Sequence, residues 1–368
     1  MHRCLELAKL GAGNVAPNPM VGAVLVYHGR IIGEGYHQKY GEAHAEPNSI
    51  ASVKEEDRKL ISQSTMYVSL EPCVHFGKTP PCADLIIKHK IPKVVIGCRD
   101  PFKEVNGRGI EKLKAAGVET EPGVLEKECK ELNKRFFTFH TKHRPYIILK
   151  WAQTANGFIA TSPQTPLQRR GAFEESANKR LLISNEYSNR LVHKWRSEEA
   201  AILVGTNTAL KDDPQLTTRL WTGNNPVRMV IDMDLKLPSS LKLFDDEAST
   251  IIFNTIKHDL KEEAFIPSTP GKAETVFYQV TEDVNLVHQV SNALYRLKIQ
   301  SVMVEGGKKL LQSFIDEGMW DEARVINNEE LIINNGLDAP KLTSHAKIEE
   351  QKIFSDTVKI FKPAISPD

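Results

Sequence analysis

Two cysteines nine positions apart, Cys73 and Cys82, with a histidine upstream, His44, restrict this chain more than any other feature of its sequence. The stretch that carries the cysteines reads Leu70-Glu71-Pro72-Cys73-Val74-His75-Phe76-Gly77-Lys78-Thr79-Pro80-Pro81-Cys82, and the histidine stands in His44-Ala45-Glu46. One imidazole and two thiolates are a ligand set for zinc. Three protein ligands leave the fourth tetrahedral position to water, the arrangement of a catalytic rather than a structural site. Zinc brings the pKa of such a water to roughly 7, and Glu46, two residues past His44, is placed to shuttle its proton. The alternatives are a structural zinc closed by His75 as a fourth ligand, and Glu46 as an ordinary first-turn acid complementing a helix dipole. The place of His75 between the cysteines suits contact with a substrate better.

Length favours two domains, since 368 residues suffice for two hydrophobic cores. Basic and acidic residues are balanced, 48 against 47, so no basic footprint points to a nucleic acid and no charge excess to a membrane surface. No apolar run approaches the roughly 20 residues of a membrane span. The start, Met1-His2-Arg3-Cys4-Leu5-Glu6, lacks a signal peptide's apolar segment. Of five cysteines two are assigned to a metal, and Cys4, Cys98 and Cys129 read as buried small residues rather than a disulfide framework. A soluble cytoplasmic protein is expected.

In chain order, Cys4 to Leu10 reads as an amphipathic helix ended by Gly11. It has no capping residue ahead of it, so a few residues are expected upstream. Val21–Val26 and Arg30–Tyr36 flank a turn at His28-Gly29 and read as a hairpin. A helix from His44 through Val53 follows, then a strand over Met66–Leu70 running straight into Glu71-Pro72-Cys73. Pro80-Pro81 pre-set a helix over Cys82–Ile87, where the helix dipole favours a thiolate at the first turn. A strand over Lys93–Gly97, a helix over Gly109–Ala116, a short strand over Val118–Thr120 and a helix over Leu125–Phe139 complete an α/β sandwich.

Thr141–Pro145 reads as a linker, giving domains 1–143 and 144–368. The second α/β pattern has strands at 146–151, 200–204, 227–231, 250–253, 275–278 and 301–305 and a helix at 186–196, with a long polar loop over Ser162–Lys179. Glu305-Gly306-Gly307-Lys308 is a strand end, a glycine pair and a helix start, a form that lets backbone approach a phosphate. A plain strand–helix turn explains it about as well, and no G-x-G-x-x-G indicates a Rossmann site.

His44-Ala45-Glu46 and Pro72-Cys73 match the H-x-E and P-C of the zinc nucleobase deaminases, but the second cysteine follows nine positions later instead of three. That longer loop, Ala16-Pro17-Asn18-Pro19-Met20-Val21-Gly22 and Gly35-Tyr36-His37 resemble the deaminase half of the bifunctional deaminase–reductase family of riboflavin biosynthesis. Asn156-Gly157, Trp195-Arg196-Ser197, Val204-Gly205-Thr206-Asn207-Thr208 and Asp212-Asp213-Pro214-Gln215-Leu216-Thr217 resemble its reductase half. The resemblance covers nearly the whole chain. It implies a cytidine-deaminase-like α/β/α sandwich followed by a dihydrofolate-reductase-like α/β domain, with Zn²⁺ and NADPH as cofactors.

The resemblance further implies His44, Cys73 and Cys82 as zinc ligands and Glu46 as acid/base. It puts Asn18, His37, His75, Lys78 and Asp100 on the deaminase substrate. Gln153, Leu182, Thr208, Asp212, Gly306 and Gly307 would face NADPH, while Arg180, Arg196, Leu216, Arg219 and Glu305 would face the ribosylamino-pyrimidine phosphate. Arginine suits a phosphate ester, because its planar fork donates two parallel hydrogen bonds. Three features depart from the family pattern: Leu182 in place of tryptophan, Phe102 in place of asparagine, and the length of the Ser162–Lys179 loop. The expected reaction is hydrolytic deamination of 2,5-diamino-6-ribosylamino-4(3H)-pyrimidinone 5′-phosphate, then NADPH-dependent reduction of ribosyl to ribityl, in a homo-oligomer (dimer or tetramer). The competing readings are a zinc nucleoside or RNA deaminase with a non-catalytic nucleotide-binding second domain, and a zinc-stabilised binding module without activity.

Overall fold

The computed structural model describes residues 1–76, 80–161, 167–169, 172–174, 182–260 and 273–364. The chain divides into two compact units, Met1–Arg144 and Pro145–Asp368.

The first unit is built on a five-stranded sheet of order β2-β1-β3-β4-β5. Its strands are β1 (Gly22–Tyr27), β2 (Arg30–Tyr36), β3 (Thr65–Leu70), β4 (Lys93–Cys98) and β5 (Glu119–Pro122). β1 is antiparallel to β2 and β3, whereas β3, β4 and β5 run parallel. The hairpin turn is the expected one: His28 and Gly29 both have positive φ, 45° and 78°, as a two-residue turn matched to strand twist requires. Alternation along the strands feeds two helix layers. Gly22 faces the backbone of α1 (His2–Lys9), and Gly33 and Gly35 face that of α2 (Ala45–Ala51) so closely that a Cβ would lie 2.0–2.3 Å from main-chain atoms. α3 (Cys82–Lys88) and α4 (Arg108–Ala115) continue the α2 layer. A 3₁₀ segment over Glu55–Gln63, which the sequence reading did not anticipate, leads into β3.

The single helix expected over Leu125–Phe139 is two, α5 (Glu126–Leu132) and α6 (Lys134–Lys142). The break falls at Asn133, whose side chain both accepts from the Met20 N–H (2.8 Å) and donates to the Met20 carbonyl (2.9 Å), clamping the loop that carries Asn18. α6 also absorbs Thr141 and Lys142, which the sequence reading assigned to the linker; Thr141 Oγ1 donates to the Phe137 carbonyl. The turn out of this unit is His143, with φ of 53°.

The second unit carries a nine-stranded sheet of order β13-β12-β11-β10-β14-β6-β15-β19-β18. In chain order its elements begin with β6 (Tyr146–Gln153), β7 (Phe158–Thr161), β8 (Leu167–Arg169), β9 (Ala172–Glu174), α7 (Glu186–Glu198), β10 (Ala201–Gly205) and α8 (Thr206–Asp212). They continue with β11 (Val227–Ile231), β12 (Thr250–Asn254), β13 (Thr275–Gln279), α9 (Leu286–Arg296), β14 (Ser301–Glu305) and α10 (Lys308–Asp316). The chain then runs through β15 (Glu322–Asn328), β16 (Leu331–Ile333), β17 (Gly336–Asp338), β18 (His345–Ile353) and β19 (Asp356–Pro363). The strands from β13 to β15 are parallel, and the hairpin of β18 and β19 is antiparallel at one edge.

Strands buried on both faces read as continuous apolar runs, which is why β10, β11 and β14 were visible in the sequence. Ala201, Leu203, Met229, Phe253, Val302 and Val304 pack on α9 and α10 through Val290, Leu294, Leu311 and Phe314. Ile202, Val204, Val230, Ile252 and Met303 pack on the other face with Val192 and Trp195 of α7 and Ala209 of α8. Neighbouring β10 and β14 therefore send their following helices to opposite faces of the sheet. The gap left between their carboxyl ends is a topological switch point, where open α/β sheets bind ligands.

Candidate active site

In the first unit, β3 delivers Cys73 through Glu71-Pro72, α3 presents Cys82 as its first residue, and His44 is the N-cap of α2. His44 Nδ1 lies 3.6 Å from Cys73 Sγ and 3.4 Å from Cys82 Sγ, and the three donor atoms all fall within 4.8 Å of one another. The Cys82 N–H donates to Cys73 Sγ at 3.3 Å. Cys82 and then His44 hold the Cys73 thiol well down, while the hydrogen bond with Cys73 and then burial keep Cys82 up. One nitrogen and two soft sulfurs, converging on one point, fit zinc. Among the described residues this is the one group of three such side chains able to hold a metal.

Glu46 lies in the first turn of α2, 3% exposed, hydrogen-bonded by the Cys82 thiol. Burial, reinforced by the Cys73 charge, pushes its carboxyl up to about 7. That is the range in which a carboxylate both accepts and returns a proton near neutral pH. His37 is buried next to the centre, its ring 5.3 Å from that of His44. Its Nδ1 faces the Ala43 carbonyl at 3.0 Å, which can only accept, so Nδ1 carries the proton and Nε2 accepts from Asn18 Nδ2 at 3.1 Å. The structure thus brings Asn18, His37, His44, Glu46, Cys73 and Cys82 together.

Asp100 follows β4 on the neighbouring strand end, buried, and burial pushes its carboxyl up to about 7. Its Oδ1 accepts from the Phe102 N–H at 2.8 Å. Phe102 meets the His75 ring edge-on at 5.9 Å and the His140 ring at 5.1 Å, so where asparagine was expected an aromatic edge lies against the inter-cysteine loop. His75 Nδ1 is buried with no hydrogen-bond partner among the described residues. His75 is not in the group of metal-holding side chains. Lys78 lies outside the described residues.

In the second unit, Gly306 and Gly307 turn β14 into α10 with φ of 90° and 74°. A Cβ on Gly306 would sit 2.8 Å from Thr208 Cγ2, and one on Gly307 3.3 Å from Thr208 Oγ1. The glycine turn and α8 therefore meet at the switch point, with the Thr208 side chain packed against the two glycines. Asp212 ends α8, exposed. Gln153 at the end of β6 has its amide committed within the fold, accepting from Trp151 Nε1 and donating to Asn327.

Arg196, Glu305 and Leu216 gather at the same end of the sheet. Arg196 binds Glu305 through two nitrogens, Nε to Oε1 at 3.1 Å and NH2 to Oε2 at 2.8 Å, and its NH1 donates to the Thr217 carbonyl. Thr217 follows Leu216, a buried non-glycine residue with φ of 56°, a conformation that concentrates at functional turns. Arg196 and Glu305 thus pair with one another across the end of the sheet. Arg219 is exposed, with NH1 on Thr217 Oγ1.

Two residues of this cluster escaped the sequence reading. Lys150 on β6 stands 3.7 Å from Glu305, and a lone lysine in Tyr-Ile-Ile-Leu-Lys-Trp was a signal within reach. His193, one turn before Arg196, is buried with an unpartnered Nδ1; burial and then Arg196 and Arg219 push it down to about 4. Burial opposes ionisation of Glu305, yet Arg196 and Lys150 outweigh it and hold the carboxyl at about 2. Leu182 is 67% exposed. Arg180 and most of the Ser162–Lys179 loop lie outside the described residues.

Two family matches divide the chain as its units do. Residues 1–98 match the zinc-binding region of cytidine and deoxycytidylate deaminases, and residues 145–328 match the RibD C-terminal domain. The riboflavin biosynthesis protein RibD of Aquifex aeolicus is 39% identical, over 98% of this chain and 97% of its own length. That of Synechocystis is 39% identical over 100% of this chain and 93% of its own. Among solved structures, the diaminohydroxyphosphoribosylaminopyrimidine deaminase/5-amino-6-(5-phosphoribosylamino)uracil reductase of Thermotoga maritima superposes with a TM-score of 0.81. It is 36% identical and covers 99% of this chain and 97% of its own.

Fold, metal-ligand geometry and matches define the class, a zinc-binding deaminase unit followed by a reductase unit that uses a nicotinamide cofactor. The chain belongs to the RibD family, the bifunctional deaminase–reductases of riboflavin biosynthesis.

Proposed function

We propose that the first unit hydrolytically deaminates 2,5-diamino-6-ribosylamino-4(3H)-pyrimidinone 5′-phosphate and that the second reduces the ribosyl group of the product to ribityl with NADPH. The observation that carries the reading is the convergence of His44 Nδ1, Cys73 Sγ and Cys82 Sγ beside a buried carboxylate tuned to neutrality. When bound, zinc supplies the Lewis acidity that brings the pKa of a water to roughly 7. Glu46 accepts a proton from the attacking water and passes it to the ring nitrogen, then carries the second water proton, from the new hydroxyl, to the amino group, which leaves as ammonia as the carbon–nitrogen bond gives way to a carbon–oxygen bond. Asn18, fixed by His37, together with His75, Lys78 and Asp100, orients the pyrimidine.

In the second unit the Gly306-Gly307 turn, beside Thr208 at the start of α10, takes the pyrophosphate of NADPH, because backbone N–H groups at a helix start attract an anion. Asp212, Gln153 and Leu182 border the cofactor. The hydride comes from the nicotinamide, and the protein's part is to place the sugar carbon beneath it. Arg219, with Arg180, suits the substrate phosphate; Arg196 acts by fixing the Glu305 carboxylate, and Leu216 packs below. We place the domain boundary at Arg144 and Pro145 and the protein in the cytoplasm. No described helix is long and apolar enough to cross a membrane. The exposed edge strand β18 supports a homo-oligomer, because an uncovered edge offers its backbone to a second copy.

A coupled assay with the pyrimidine, reading ammonia release and NADPH oxidation separately, tests the reading. Both signals, in that order, are expected. Ammonia without NADPH oxidation would confine the activity to the first unit, and deamination of cytidine or RNA in place of the pyrimidine would replace the reading.

A further inference from the structure

We propose that Glu71 is a positioning residue of the deaminase site, its buried carboxylate tying down both ends of the segment that carries Asp100 and Phe102. The proposal rests on the deaminase reading above. Glu71 immediately precedes Pro72-Cys73 and is 3% exposed. A carboxylate withdrawn from water persists only where donors replace the hydration it lost. Here the donors are four backbone N–H groups. Oε2 accepts from Asp100 at 3.2 Å and Gly107 at 2.9 Å, and Oε1 from Gly109 at 2.8 Å and Ile110 at 3.2 Å.

Three of these donors are the N-cap and first-turn N–H groups of α4, which lack partners within their own helix. Glu71 therefore caps α4 from a different element. The fourth donor is Asp100 itself, at the start of the segment. Between the two ties lie the Asp100 carboxyl, which accepts from the Phe102 N–H, and the Phe102 ring, which meets His75. Gly109 is part of the device: a Cβ there would lie 2.1 Å from the Pro72 carbonyl oxygen and 3.1 Å from Glu71 Oε1, so only glycine lets α4 come this close. Glu71 is not among the metal-holding side chains. It acts on the substrate through Asp100 and Phe102, and the zinc ligands stand on elements it does not cap.

The test uses the full chain with Glu71→Gln, which keeps the size but turns an N–H₂ toward two N–H donors. Zinc should stay at one per chain, and NADPH oxidation by the second unit should be unchanged. KM for the pyrimidine in deamination should rise roughly tenfold or more, with kcat changed less than about threefold, since charge-assisted hydrogen bonds to the segment are lost while zinc and Glu46 stay. Backbone amide exchange should quicken at Asp100, Gly107, Gly109 and Ile110 but not in α2 or α3. Gly109→Ala perturbs the same contact with Glu71 intact, should give the same KM–kcat split, and decides the matter if Glu71→Gln does not fold. Unchanged protection of the four amides with unchanged KM overturns the proposal. So does loss of zinc, or a fall in thermal stability with both kinetic constants intact, either of which makes Glu71 a support of the fold alone. A wild type that releases no ammonia from the pyrimidine removes the deaminase reading instead, and the exchange measurement still decides whether Glu71 holds the segment.

Discussion

Glu46 and Glu305 are both buried carboxylates, and their surroundings drive them in opposite directions. Burial, reinforced by Cys73, lifts Glu46 to about 7, whereas Arg196 and Lys150 outweigh burial at Glu305 and hold it at about 2. A group poised at neutrality moves protons; one held far below it stays a fixed charge. Glu46→Gln, which keeps the shape and removes the titrating oxygen, should retain zinc by metal analysis and slow ammonia release by roughly 10²–10⁴-fold. Wild-type turnover in that variant would return Glu46 to the role of a first-turn helix acid. His193 gives a pH test in the second unit. Its pKa is lowered from 6.5 to about 4 in the fold, so the unfolded chain binds the proton first as pH falls. Stability should therefore drop as pH falls from about 6.5 to about 4, by at most about 1.4 kcal/mol per pH unit from this group. His193→Gln should flatten that slope in urea titrations across this window. The Glu305 shift has the same sign but lies in a lower window: its contribution is present above about 4.5 and is lost as pH falls from there towards 2. A slope unchanged between pH 4 and 6.5 would show that His193 is not the neutral buried group described.

At the scale of elements, the turns after β10 and β14 set the cofactor crevice, and they can be probed apart from the Arg196–Glu305 pair. Gly307→Val adds a branched side chain at a φ of 74° and towards Thr208, so it should weaken NADPH binding by at least about tenfold and leave pyrimidine binding nearly intact. Arg196→Ala strips Glu305 of its bidentate partner and should do the reverse, weakening the pyrimidine by roughly ten- to a hundredfold. Isothermal titration of each variant with each ligand separates the two. If Arg196→Ala lost NADPH and kept the pyrimidine, the two subsites would be interchanged. These turns were legible in the sequence because β10 and β14 are largely apolar runs with glycine at their ends, Gly205 for the first and Gly306-Gly307 for the second. The Arg196–Glu305 pairing was not, since 109 residues separate the partners and only the sheet order makes them neighbours. The break at Asn133 was hidden for a related reason. Helix periodicity runs through it, and what interrupts the helix is a hydrogen bond to Met20 far upstream. β18 was missed because eight of its nine residues are exposed, leaving no apolar alternation to read. Glu71 looked like filler before the Pro-Cys motif, and its four donors come from a segment some thirty residues on.

At the scale of the whole molecule, each unit buries its own core. Leu25, Met66, Val68, Ile96 and Leu113 interlock in the first, and two cores on either face of the large sheet stabilise the second. The zinc ligands, Glu46 and the segment tied by Glu71 all belong to residues before Arg144, whereas the glycine turn, Arg196 and Glu305 all follow Pro145. The site for separating them is narrower than a linker over 141–145 implied, because Thr141 and Lys142 complete the last turn of α6, and Pro145 directly precedes β6. A protease site placed between Arg144 and Pro145 should release two soluble fragments with cooperative melting, since each carries a complete core. The fragment ending at Arg144 should keep one zinc and release ammonia from the pyrimidine; the fragment beginning at Pro145 should bind NADPH and hold no zinc. Cutting instead before Thr141 removes the end of α6 and should lower the first fragment's melting temperature. An insoluble, zinc-free first fragment from the Arg144 cut would mean that its core is completed by residues beyond Pro145, and the units would then be parts of one cooperative fold.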